Sequence, residues 1–203
     1  MKFLIYISIF LFSFETFGQK SDHTSRASDC TNFIQINGKT NLNNFFLEQN
    51  IRGNYLCGPG NSEWMYQPEL SKYEMRIPVS KFEANNPFVY HDFLSLIRAS
   101  EYPYIRILID EDDFQNIYSN KNSFNSDVQI SLAGVTKTFS IECMVTACNY
   151  PNMIISGTKI IKLTDFKLDP PEKSFGLIKV KNELSINFEF KLPDNLITKV
   201  PEN

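Results

Sequence analysis

Histidine is almost absent: His23 and His91 are the only two in 203 residues. The sequence also has no G-x-S-x-G elbow, no glycine-rich phosphate loop and no H-E-x-x-H pair. It therefore lacks the common arrangements that activate a serine, cradle a phosphate or hold a catalytic zinc. No C-x-x-C pair occurs among its four cysteines, which argues against a structural zinc site. Neither charge sign dominates, since 20 basic and 23 acidic residues give a net charge of −3. Without a basic face there is no electrostatic footprint for nucleic acid. There is no internal repeat and no low-complexity tract. Beyond residue 18, no stretch approaches the roughly 20 apolar residues of a membrane-spanning helix.

One apolar run does exist, at the very start. Met1-Lys2 is followed by "FLIYISIFLFSF" and then "ETFG". A lysine, a short apolar stretch and a closing small residue form the layout of a secretory signal peptide. The expected cleavage follows Gly18, with Thr16 as the other small residue; an uncleaved N-terminal anchor is the alternative. A periplasmic or secreted protein is expected, with no transmembrane segment after cleavage. Residues 19–30 are polar and aperiodic, a flexible lead-in that holds His23. A single domain is expected over 31–195, with a tail at 196–203. Cys30, Cys57, Cys143 and Cys148 all lie in the exported part, where an even count favours one or two disulfides. The sequence allows three complete pairings. Cys143 and Cys148, five apart, point to opposite faces of a regular strand and can join only if the chain turns between them.

The dominant hydrophobic period is two. "YEMRIPVS" alternates Tyr73, Met75, Ile77 and Val79 against polar positions, and "YIRILID" does so with Ile105, Ile107 and Ile109. "DVQISLAG" aligns Val128, Ile130 and Leu132; "TFSIECMVTA" aligns Phe139, Ile141, Cys143 and Val145. The clearest case is "ELSINFEFKL", with Leu184, Ile186, Phe188, Phe190 and Leu192 on one face. "NFIQINGKT", "NNFFLEQN" and "NMIISGTKIIKL" add further strands. Such alternation describes antiparallel strands with one dry and one wet side. The segment Asn86–Pro103 breaks the pattern and fits a short amphipathic helix over residues 88–99, with Pro87 suited to its first turn. About eight strands and one helix imply an all-β, closed antiparallel up-and-down barrel, because closure removes exposed sheet edges.

His91 beside Asp92 is the one pair around which an enzyme could be built, and a Cys–His dyad using Cys57 or Cys143 is conceivable. Neither belongs to a recognisable catalytic constellation, so no catalytic residue, metal or cofactor is expected. The acidic cluster Asp110–Asp113 lacks the spacing and glycine of a calcium loop and reads as a solvated strand end. What remains is the barrel interior, expected to be lined by Met75, Ile77, Val79, Ile105, Ile107, Ile130, Leu132, Phe139, Ile141, Ile186, Phe188 and Phe190. With 18 phenylalanines in the chain, that lining is bulky and apolar. It either fills the interior or hosts one small ligand, such as a lipid or isoprenoid chain. The stretch "LTDFKLDPPEKSFGLIKV" gathers Asp, Pro and Gly between two strands and reads as a connection, since proline offers no N–H to a ladder. Thr164 and Asp165 can hydrogen-bond nearby amides, and Phe166 and Phe175 are expected as plugs or rim residues at one end of the barrel.

Taken in order, several of these stretches resemble the YceI-like domain family, a group of exported bacterial barrels of lipocalin-like form. "INGKTNLNNF" resembles the family's first strand region, and "YEMRIPVSKFEANN" its alternating strand and following loop. "LIRASEYPYIRILI" is similar to the segment that ends the helix and starts the next strand. "VQISLAGVTKTFSIECMV", with Gly134 in its turn, is the closest match. "GTKIIKLTDFKLDPPEKSFGLIKVKNELSINFEFKL" resembles the family's end, with Thr-Asp-Phe, Pro-Pro and a last strand. The resemblance covers about residues 33–192. Two features depart: Leu163 rather than a basic residue precedes Thr164, and the helix segment "YHDFLSLIRASEYP" is short, as in a divergent subgroup. The resemblance implies a non-catalytic exported binding protein that holds an amphiphilic polyisoprenoid or related lipid in its interior. The other expectations are a filled barrel serving as an envelope structural or stress-related interaction module, and an enzyme using His91 and Asp92.

Overall fold

A computed structural model describes residues 32–51, 64–113, 122–147 and 153–192. The strands are β1 (Asn32–Lys39), β2 (Asn44–Ile51), β3 (Trp64–Gln67), β4 (Lys72–Pro78), β5 (Glu83–Ala84), β6 (Tyr104–Asp110), β7 (Ser123–Leu132), β8 (Val135–Ala147), β9 (Met153–Lys162), β10 (Glu172–Lys173), β11 (Ile178–Lys179) and β12 (Glu183–Lys191). The helix α1 spans Pro87–Leu96. Ten strands form one antiparallel sheet in the order β3-β4-β6-β7-β8-β9-β12-β1-β2-β5, and β10 and β11 pair separately as a hairpin. The all-β architecture follows the period-two pattern, but the sheet has ten strands where eight were expected. The extra members are the short edge strands β3 and β5, too brief to leave an alternation in the sequence.

The sheet curls so that the alternating apolar residues face inward. Ile34, Ile36, Met75, Ile77, Ile107, Val128, Ile141, Ile155 and Phe190 are all buried in one cluster. The register makes these faces coincide, with Ile107 opposite both Met75 and Ile130, and Ile186 opposite Ile36. A slip of one residue in any strand would turn its apolar set outward.

Local chemistry sets the turns. β7 and β8 are joined through Ala133 and Gly134, both at positive φ (50° and 79°), as the tight hairpin twist requires. The Tyr102 ring packs where a Gly134 Cβ would project. The α1 start follows from Asn86, whose Oδ1 accepts from the Phe88 N–H at 2.9 Å with Pro87 in the first turn. The expected end at residue 99 moves back to Leu96, because Arg98 is left-handed (φ 54°). It is held there as its guanidinium donates to the Ala133 carbonyl at 2.9 Å and lies 4.8 Å over the Tyr102 ring.

Candidate functional site

Inside the curl lies a cavity of about 660 Å3, within the range of about 300–1,000 Å3 that small-molecule sites occupy. Its wall is built from the inward residues of β1, β6, β7, β8, β9 and β12, with Phe93, Leu96 and Ile97 of the α1 region beside them. Ile130, Leu184, Ile186 and Phe188 on this wall are only half-buried, because their apolar sides face open space instead of other side chains.

At the floor, Phe188 and Phe190 stack at 5.4 Å, and the Trp64 ring meets Phe190 edge-on at 6.3 Å. The indole N–H of Trp64 donates to the Lys191 carbonyl at 3.1 Å. That bond lets a large aromatic plug be buried without stranding its polar atom.

The opposite end opens to solvent between three elements: the β1–β2 turn, the start of α1 and the β10–β11 hairpin. The Asn41 side chain fastens the first to the hairpin, donating to the Leu177 carbonyl at 2.9 Å and accepting from the Lys179 N–H at 2.8 Å. An ion pair of 2.8 Å between Lys173 and Asp92 joins the hairpin to α1. Around this mouth Leu42, Phe88, Phe175 and Leu177 are exposed, Phe175 fully so at 109 %. The hairpin turn holds Ser174, Phe175 and Gly176 in succession at positive φ (52°, 55° and 83°).

Of the interior residues expected from the sequence, Ile105, Ile107, Ile130, Leu132, Ile141, Ile186, Phe188 and Phe190 do line the cavity. Met75, Ile77 and Val79 do not; they are packed solid in the core, at 0–2 % exposure. Alternation fixes which face a residue takes, but not whether side chains opposite fill the space in front of it. Phe139 is not one of the lining residues; its ring packs against Phe166 at 5.9 Å, beside Lys159. Ile34, Ile36, Leu47, Ile155 and Ile161 line the wall without having been singled out, and Leu184 lines it from a face already named in the sequence. Their strands carried the same signal, more briefly.

Thr164, Asp165 and Phe166 form a one-turn helix at Leu163–Phe166. Asp165 Oδ2 accepts from the Lys162 N–H at 3.0 Å, while Thr164 and Asn182 exchange hydrogen bonds of 3.1 and 3.0 Å. The β8–β9 ladder ends at Cys143–Gly157, and beyond it Phe166, buried against Phe139, closes the seam between the strands. Of the two alternatives, plug or rim, Phe166 is thus a buried plug at the seam, whereas Phe175 stands exposed at the mouth.

His91 is exposed on α1, with its ring 5.9 Å from Tyr90, and is not part of the cavity wall. The neighbouring Asp92 carboxylate is engaged by Lys173 instead, so the two do not form a dyad. In the acidic cluster, Asp110 pairs with Lys72 at 2.6 Å and Glu111 accepts from the Tyr66 hydroxyl at 2.6 Å. Asp113 accepts from Ser126 Oγ at 2.5 Å. Among the described residues, no group of three His, Cys, Asp or Glu is gathered for a metal.

Cys143 is a free thiol on the cavity wall, not a disulfide partner; Cys30, Cys57, Cys148 and the residues of the expected signal peptide, lead-in and tail lie outside the described residues. Burial, with a smaller contribution from the Asp113 charge, pushes its pKa up to about 11. Since the thiolate is the nucleophile, Cys143 should resist iodoacetamide at pH 8 in the folded protein and react once denaturant is added. Peptide mapping by mass spectrometry reads both states directly.

No protein-family model and no curated protein matches the chain; solved structures do. BcnA of Burkholderia cenocepacia aligns with a TM-score of 0.52 at 15 % identity, over 80 % of this chain and 96 % of BcnA. A polyisoprenoid binding domain from Saccharophagus degradans, implicated in plant cell wall breakdown, aligns with a TM-score of 0.54 at 9 % identity. That alignment spans 79 % of this chain and 92 % of the domain. The YceI protein of Campylobacter jejuni aligns with a TM-score of 0.46 at 15 % identity, over 64 % of this chain and 77 % of its own. What this chain shares with BcnA and the polyisoprenoid binding domain is the fold.

Proposed function

We propose that the protein is an exported, non-catalytic carrier that holds the hydrocarbon chain of an amphiphilic lipid or isoprenoid inside its sheet. The observation that carries this reading is the aliphatic cavity of about 660 Å3, open at one end and plugged by aromatic rings at the other. A filled barrel would leave no such space. The name of the Saccharophagus domain, a polyisoprenoid binding domain, agrees in ligand class, and the N-terminal apolar run suits export. Functional closure of the barrel is part of the proposal. β4 pairs with β6 near one edge of the sheet, and the same chain continues through Val79–Lys81 into β5, which pairs with β2 at the other.

Native mass spectrometry of protein purified without detergent should show a retained hydrophobic compound of a few hundred daltons. After its removal, saturated alcohols should bind about fourfold more tightly per added methylene, the equivalent of about 0.8 kcal/mol each, until the cavity is full. Protein that retains nothing and shows no dependence on chain length would sink the proposal.

A further inference from the structure

Three of the residues that line the cavity carry charge: Asp92, Lys159 and Lys173. Two of them neutralise each other, since the Asp92 carboxylate is held by Lys173 at 2.8 Å at the mouth. Lys159 is different. It lies on β9 in phase with Ile155 and Ile161, so its side chain turns toward the interior with theirs. Its ammonium donates to the Ser140 carbonyl at 2.7 Å and stands 6.0 Å from the Phe139 ring centroid. The carboxylates nearest in sequence on the flanking strands, Glu142 on β8 and Glu183 and Glu189 on β12, sit at exposed positions out of phase with the lining residues. Among the described residues no carboxylate pairs with Lys159.

An ammonium has three donors, and the Ser140 carbonyl takes one. A half-exposed positive charge bordering an apolar wall, with donors to spare and no counter-ion, is poised for an anion supplied from outside. We infer that Lys159 receives the anionic head of the ligand, so that the cavity selects amphiphiles with a carboxylate or phosphate head over neutral ones of equal chain length. This rests on the carrier role proposed above and adds what that role leaves open, the chemical class of the head. Phe139 and the Ser140 carbonyl position the ammonium where the β8–β9 ladder has ended. The hydrocarbon tail then follows the aliphatic wall.

The test compares dodecanoate, dodecyl phosphate and dodecanol, titrated into delipidated protein at low salt, with the fluorescence of the sole tryptophan, Trp64, as readout. Both anions should bind about tenfold more tightly than the alcohol, as a charge-assisted hydrogen bond at a half-exposed site allows. Lys159→Gln should bring them down to the level of the alcohol while leaving dodecanol affinity within about twofold. Lys159→Arg should keep the preference; if lysine served only to brace Ser140, Lys159→Gln would weaken all three ligands alike. A stronger response to the carboxylate points to fatty acyl ligands, and one to the phosphate points to isoprenyl phosphates. If wild-type protein binds dodecanol as tightly as the anions, or if the preference survives in Lys159→Gln, the inference is wrong while the carrier role stands. Binding of none of the three overturns both. The wild-type comparison needs no variant, so poor folding of Lys159→Gln would not rescue the idea.

Discussion

Replacing Arg76 and Arg106 together by methionine should cost about 3–5 kcal/mol of folding stability, the usual penalty for stranding a buried charge. Glu74 on β4 is fully buried at 0 % exposure. Its two oxygens accept from Arg76 at 3.1 Å twice, from Arg106 at 2.5 Å and from Gln67 at 2.9 Å. The two arginines lie directly opposite each other across β4 and β6, an arrangement that repels unless an anion sits between them. Burial opposes ionisation of Glu74, but the hydrogen bonds and charges of Arg76 and Arg106 outweigh it and hold the carboxyl below its usual range. A depressed acid contributes stability above its unfolded value, about 4.3, and loses it as pH falls through the lower folded value. Wild-type protein should therefore weaken in that acid window. In the double variant burial is left to dominate and raises the carboxyl instead, so the sign reverses and the variant regains stability as pH falls. Urea unfolding at a series of pH values separates the two, and adding Glu74→Gln to the double variant should recover part of the loss. A double variant as stable as wild type at pH 7 would show that this cluster is a surface ornament.

Ile186→Trp should abolish ligand retention, with about a hundredfold loss of affinity and a change in stability below about 1 kcal/mol. Ile186 is half-buried because it borders the cavity, so an indole at this position enters open space. Displacing three to four methylenes of a bound chain, at about 0.8 kcal/mol each, accounts for the hundredfold. Met75→Trp is the matched control. Met75 has 0 % exposure and does not touch the cavity, so the same added bulk must force the core apart, at about 1–3 kcal/mol or more. Calorimetric titration with a long-chain amphiphile and thermal unfolding of both variants read the contrast. Equal destabilisation by the two tryptophans would mean that the space beside Ile186 is not a cavity in solution.

The contrast between Ile186 and Met75 also marks how far the sequence can be read. Both stand at apolar positions of a strand with period-two alternation, and both face inward as that pattern requires. One borders empty space and the other is packed solid, and nothing in either strand distinguishes them. Phe166 and Phe175 repeat the lesson: both are aromatic residues of one proline-flanked connection, yet one wedges the β8–β9 seam and the other is fully exposed. Lys159 left no signal either, because a lysine within an alternating strand ordinarily belongs to the wet face.

Alternation of apolar and polar residues, with turns such as the one at Gly134, was enough to determine antiparallel strands and their inward faces, and its break after Asn86 marked one helix near residues 88–99. These depend on contacts within a strand or between chain neighbours, where a side chain's direction follows from backbone geometry. Whether the interior is full or hollow, that Lys159 borders the cavity, and that Glu74 is buried between two arginines were decided by tertiary structure. Each depends on the volume and charge that distant strands bring to one point, and those sums form only when the sheet curls.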